Sequence, residues 1–75
     1  MNKPVKVFSK PRCVQCAATI RSLENKGIAY SVIDLTEDPN ALEHVKSLGH
    51  LQAPVVETDS TSWSGFRPDL IATLS

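Results

Sequence analysis

Val5-Lys6-Val7-Phe8-Ser9-Lys10-Pro11-Arg12-Cys13-Val14-Gln15-Cys16, continued by Ala17 to Asp34, is the stretch that decides the fold. Its first four residues are β-rich and read as a strand. Ser9-Lys10-Pro11-Arg12 breaks that strand. A helix is expected from about Val14 to Lys26, because Ala17, Ile20 and Leu23 recur at helical spacing while Arg21 and Glu24 face away. Gly27 suits the left-handed residue that stops a helix. Ile28 to Asp34 carries Tyr30, Val32 and Ile33 and reads as a second strand. A strand–helix–strand unit of this kind is a right-handed crossover between parallel strands.

The same punctuation continues outward. Asp38-Pro39 is a helix cap followed by proline in the first turn. Ala41, Leu42, Val45 and Leu48 form the apolar stripe of a second helix, which Gly49 ends. Pro54-Val55-Val56-Glu57 is a third strand, Thr58 to Thr61 a polar turn, and Ser62-Trp63-Ser64 a short fourth strand paired as a hairpin. Arg67-Pro68-Asp69 opens a last helix that buries Leu70, Ile71 and Leu74. The expected order is β-α-β-α-β-β-α, an α/β domain with a four-stranded mixed sheet and helices on both faces.

With 75 residues, the chain from 1 to 75 is one domain, just long enough to bury a core. Eight basic side chains balance eight acidic ones, which argues against a nucleic-acid protein, since those carry a basic stripe. No apolar run approaches the ~20 residues that span a bilayer, and Val5 to Phe8 is too short for a signal-peptide core. The expectation is a cytoplasmic protein. Balanced charge and few aromatics point to a monomer. Two cysteines make at most one disulfide, which does not fit a secreted disulfide scaffold.

Cys13-Val14-Gln15-Cys16 carries the chemistry. A C-x-x-C that follows a strand and opens a helix inside a strand–helix–strand unit is a redox motif. Residues three apart at a helix start share one face, so the sulfurs reach disulfide distance with little backbone movement. Cys13, at or just before the first turn, meets unpaired N–H groups and the positive end of the helix dipole. Arg12 is adjacent and Lys10 close in sequence, and both favour the thiolate. Lowering a thiol from ~8.5 to about 7 takes roughly 2 kcal/mol, and a surface dipole supplies only ~0.3 to 1 kcal/mol, so N–H hydrogen bonds and the cations provide the rest. Cys16, one turn further in, is less exposed and keeps its proton. Cys13 is the expected attacking sulfur and Cys16 the resolving one.

Other readings stand beside this one. A lone C-x-x-C is also half a zinc site, for which His44 and His50 are the remaining ligand candidates. Each histidine alone reads more simply as a solvated surface group, as do Asp34, Glu57 and Asp59. The blandest reading is two buried structural cysteines, which the helix-start position and the adjacent cation disfavour. Pro54 reads by default as a trans proline opening a strand. The alternative is a cis peptide beside the cysteines that leaves a backbone edge free for an extended substrate. Trp63-Ser64-Gly65-Phe66-Arg67 is by default a packed corner, although Trp, Phe and Arg are also interface types.

Taken together, Cys13-Val14-Gln15-Cys16, Leu51-Gln52-Ala53-Pro54-Val55-Val56 and Trp63-Ser64-Gly65-Phe66-Arg67-Pro68-Asp69 resemble the NrdH-redoxin family of small glutaredoxin-like proteins. The resemblance covers essentially the whole chain. It implies a thioredoxin fold with sheet order 2-1-3-4 and a cis bond at Pro54. It implies a dithiol that donates electrons to the large subunit of class Ib ribonucleotide reductase and is re-reduced by thioredoxin reductase with NADPH, with no bound cofactor and no metal. By that likeness Cys13 is the nucleophile and Cys16 the resolving thiol; Val14 and Gln15 complete the motif, while Arg12, which departs from the family pattern, and Lys10 tune the pair by their charge. Ala53, Pro54 and Trp63 to Arg67 shape the partner surface, and hydrogen bonds from the latter run tie the last helix to the sheet. A glutathione-dependent glutaredoxin is the nearest competitor. Those proteins carry a Gly-Gly pair and acidic residues where this chain reads Ser64-Gly65-Phe66-Arg67, so weak glutathione binding is expected.

Overall fold

The computed structural model describes residues 4–74. The elements are β1 (Val5–Ser9), α1 (Val14–Asn25), β2 (Tyr30–Asp34), α2 (Pro39–Ser47), β3 (Val55–Glu57), β4 (Ser62–Ser64) and α3 (Pro68–Ile71). The sheet order is β2-β1-β3-β4, with β1 parallel to β2 and antiparallel to β3. This is the thioredoxin-type strand order that the family resemblance implied, on the mixed four-stranded sheet expected from the residues.

The pleat sends alternate residues to opposite layers. Val5, Val7, Val56 and Trp63 face α1 and α3, and pack with Leu23 and Ile71. Phe8 and Val55 face α2, and pack with Ala41 and Val45. Each fully buried aliphatic side chain of this kind is worth roughly 1.5 to 3 kcal/mol of transfer free energy. Trp63 is 6 % exposed and its indole Nε1 has no hydrogen-bond partner among the described residues.

Two glycines stop the long helices by the same device. Gly27 (φ 69°) and Gly49 (φ 88°) take the left-handed conformation. At the first, Gly27 N–H donates to Glu24 O and Ile28 N–H to Leu23 O. At the second, Gly49 N–H donates to Lys46 O and His50 N–H to Val45 O. Both are Schellman caps, in which the last helical carbonyls find donors beyond the helix.

The structure corrects several local expectations. α1 buries Cys16, Thr19 and Leu23, with Ile20 half-buried, while Ala17 is exposed. Thr19 was hidden from the hydrophobic pattern by its hydroxyl, which donates to Gln15 O and so enters the core satisfied. β2 starts at Tyr30, because Ile28 is spent on the cap of α1. β1 extends to Ser9, and β3 starts at Val55. Leu42 and Leu48 of the expected α2 stripe are partly exposed; only Ala41 and Val45 reach the core.

Candidate redox site

β1 ends at Ser9, and the turn through Pro11 and Arg12 delivers the chain to the start of α1. Arg12 adopts φ 59°, a left-handed conformation that an L side chain rarely takes. The reversal places Cys13 at the N-cap of α1, with extended backbone angles of −107° and 104°. Its Sγ accepts from Cys16 N–H at 3.2 Å, and its carbonyl accepts from Ala17 N–H. The cysteine therefore stands where a serine or aspartate cap normally would, with an orphan helix N–H aimed at its sulfur. Cys13 and Cys16 are joined as a disulfide, with Cα atoms 5.2 Å apart.

The two sulfurs are not equivalent. Cys16 is 3 % exposed, whereas Cys13 is half-buried and lines a cleft of about 870 Å³. The cleft is also lined by Leu35, Thr36, Leu42 and Lys46, from the end of β2 through α2, and by His50 to Ala53, from the segment before β3. Val14 is 85 % exposed and Leu51 86 % exposed.

The Ala53–Pro54 peptide is cis, as the family resemblance implied. The three motifs converge here. Pro54 O accepts from Gly65 N–H at 2.8 Å. Gln15 Oε1 accepts from Phe66 N–H at 3.3 Å. Gly65 sits at φ 85°, and a Cβ added there would lie 3.6 Å from Gln15 Oε1. The middle of the C-V-Q-C motif thus grips the loop that follows β4.

Trp63 lies under this region in the core, not on the surface, while Ser64, Gly65 and Phe66 are half-buried. Arg67 is exposed, and its guanidinium bonds both carboxylate oxygens of Asp69, at 3.2 and 2.9 Å. That pairing holds the Asp69 carboxyl below the usual carboxylate range and raises the arginine. The expected tie between the last helix and the sheet is therefore differently made. The loop bonds to Pro54 and Gln15, Arg67 stays within its own turn, and Lys26 Nζ donates to Ala72 O.

The histidines go elsewhere. His44 Nε2 meets Glu57 Oε1 at 2.9 Å, with the His44 ring tilted on Phe8. His50 Nε2 lies 2.9 Å from Ser62 Oγ. Among the described residues no group of three or more His, Cys, Asp or Glu is gathered to hold a metal ion. Lys10 lines the cleft and Arg12 is exposed beside Cys13. Sequence reasoning assigned no role to Leu42, Lys46 or Leu51 at this site. Leu51 did carry a signal, being an apolar residue stranded between a helix stop and a strand.

Comparison with known proteins agrees with this geometry. A glutaredoxin family model matches residues 5–63. The glutaredoxin-like protein NrdH of Escherichia coli K12 is 42 % identical over 67 residues, which cover 89 % of this chain and 83 % of that protein. The NrdH protein of Lactococcus lactis subsp. cremoris is 38 % identical over 71 residues, covering 95 % and 99 %. The solved structure of E. coli NrdH-redoxin, a glutaredoxin-like protein with a thioredoxin-like activity profile, superposes with a TM-score of 0.93 at 40 % identity, covering 97 % of this chain and 96 % of that one.

Proposed function

Because the chain belongs to the glutaredoxin family and to its NrdH-redoxin branch, we propose that it is a dithiol electron carrier that reduces the large subunit of class Ib ribonucleotide reductase and is re-reduced by thioredoxin reductase with NADPH. The observation that carries the redox reading is the asymmetry of the cysteine pair: an accessible Cys13 at a helix N-cap beside a buried Cys16.

In the reduced protein, the Cys13 thiolate attacks one sulfur of a substrate disulfide. A mixed disulfide forms and one substrate thiolate leaves. Cys16, deprotonated as it reacts, then attacks Cys13 Sγ, and the second substrate thiolate leaves. Two electrons and the Cys16 proton pass to the substrate, the second substrate thiolate takes its proton from solvent, and the Cys13–Cys16 disulfide remains. Cys16 N–H, aimed at Cys13 Sγ, stabilises negative charge there before attack and again when the reductase regenerates the Cys13 thiolate. Arg12 and Lys10 add positive charge near the sulfur. Ala53, Pro54 and the 64–67 loop shape the face a partner meets, with Trp63 supporting them from the core.

The thioredoxin-like profile of the E. coli relative supports thioredoxin reductase as the electron source. So does the 64–67 loop. Gln15 already occupies Phe66 N–H, and Arg67 is closed on Asp69. That leaves little to hold a tripeptide's carboxylate. Electrons enter from NADPH through the reductase; the carrier's own residues hold the thiolate and shape the docking face.

The test is reduction of a disulfide substrate with NADPH under two regenerating systems. One contains thioredoxin reductase, the other glutathione with glutathione reductase. Turnover with the first, followed by support of class Ib ribonucleotide reductase, is expected. Turnover with the second alone would overturn the partner assignment and leave a glutathione-dependent glutaredoxin.

A further inference from the structure

The run from His50 to Pro54 is tied at its ends and free between them. At its start His50 N–H donates to Val45 O, and at its end Pro54 O accepts from Gly65 N–H. Among the described residues, no backbone hydrogen bond is made by Leu51, Gln52 or Ala53. Those free backbone groups are what an extended substrate can pair with, so their place decides how such a substrate meets Cys13.

A side-chain tie fixes that place. His50 Nε2 lies 2.9 Å from Ser62 Oγ, and both residues are half-buried. A hydroxyl donates as well as accepts, so the bond holds in whichever tautomer the ring adopts. Ser62 begins β4 and Gly65 follows its end, so both ends of the run hang from one strand. Ser62 is itself braced. Its cross-strand partner on β3 is Glu57, whose Oε1 meets His44 of α2. Two imidazoles, one on α2 and one just beyond it, thus close on the same rung of the β3–β4 hairpin. α2 buries only Ala41 and Val45, so these polar ties help to set where its end and the run beyond it sit.

We propose that His50 is a positioning residue for disulfide exchange with an extended substrate. Bonded to Ser62, with His44 bracing the same rung, it sets where Leu51 to Ala53 stand relative to Cys13. It acts through that backbone and not on the sulfurs. This inference rests on the disulfide-reductase reading and deepens it. A neutral side-chain hydrogen bond is worth roughly three- to tenfold in an equilibrium, which bounds its effect on rate. A disulfide without a peptide backbone has nothing to pair with this run and should not sense the bond.

The test approaches the bond from Ser62, which does not line the cleft. The full chain is reduced with dithiothreitol, freed of it, and mixed with either of two disulfides. One joins two peptides with several residues on each side of the cysteine; the other is bis(2-hydroxyethyl) disulfide. Second-order rate constants are compared, and each variant's fold is checked by circular dichroism and a thermal melt. Ser62→Ala should slow the peptide reaction roughly three- to tenfold and leave the small disulfide unchanged. Ser62→Thr, which keeps the hydroxyl, should restore the peptide rate. His50→Phe keeps a ring without the bond and should slow the peptide to the same degree, and the double variant Ser62→Ala with His50→Phe should be no slower than either single one. Equal slowing of both substrates would make the bond a structural tie only and overturn the proposal. So would an unchanged peptide rate in Ser62→Ala, or two losses that add in the double variant. A wild-type protein that reduced neither disulfide would instead overturn the redox reading on which the proposal stands.

Discussion

Cys13 and Cys16 share a motif but not an environment, and single substitutions should separate their roles. Cys13→Ser is expected to abolish dithiol turnover. Cys16→Ser should keep attack but lose resolution, trapping a mixed disulfide visible by non-reducing electrophoresis or intact mass. Full turnover in the Cys13→Ser protein would contradict the mechanism. Gln15 has a second job at the same scale, because its side chain accepts from Phe66 N–H across 51 residues of sequence. Gln15→Met keeps the length and removes the acceptor, so the Phe66 amide should exchange several-fold faster by NMR. Gln15→Glu keeps the acceptor and should restore protection. Arg12 tests backbone against charge. At φ 59°, a β-branched Arg12→Val should cost about 1 to 2 kcal/mol, while Arg12→Gly should be near neutral. Both remove the same cation, so a difference in melting temperature with equal loss of rate would assign stability to the backbone and reactivity to the guanidinium.

Among the elements, α2 depends most visibly on its ends. Asp38 Oδ1 caps two N–H groups at its start, so Asp38→Ala should lower stability by about 1 kcal/mol in urea denaturation. The loop before α2 gives a pH dependence. Hydrogen bonds from the Thr36 hydroxyl and N–H lower Asp34 below its usual value of 3.8. A carboxyl depressed in the folded state contributes stability above its unfolded value, and that contribution is lost as pH falls through the folded value. Stability should therefore drop below about pH 4, and Thr36→Val should make the acid limb shallower. The element order was legible because punctuation was strong: Gly27, Gly49, Asp38-Pro39 and Arg67-Pro68 mark ends that the structure keeps. Side-chain burial within elements was less so. Thr19 enters the core by bonding its own helix, and Leu42 is left at the cleft, and hydropathy alone predicts neither. The cysteines were readable because local spacing brings them together. The Gln15–Phe66 contact was not, because only the tertiary fold makes it.

At the scale of the whole molecule, two thin layers of small aliphatic side chains carry the stability, and the exposed ion pairs add little. A chain of 75 residues commands about 4 to 11 kcal/mol in total. Leu23 is fully buried between α1 and the sheet, so Leu23→Ala, at about 2 to 5 kcal/mol, should remove a large part of that. A thermal melt that moved by only a degree or two would place the core elsewhere. The sheet order has a consequence for synthesis. β1, the first strand made, is an interior strand, and its partner on one side arrives only with Val55 to Glu57. Until then a nascent chain has a bare strand edge at Lys6 to Phe8 beside a finished pair of thiols. A peptide stopped at residue 52 should be unfolded by circular dichroism, with both cysteines open to alkylation at the rate of free thiols. On the ribosome, the reactive motif is complete well before the fold that gives it selectivity.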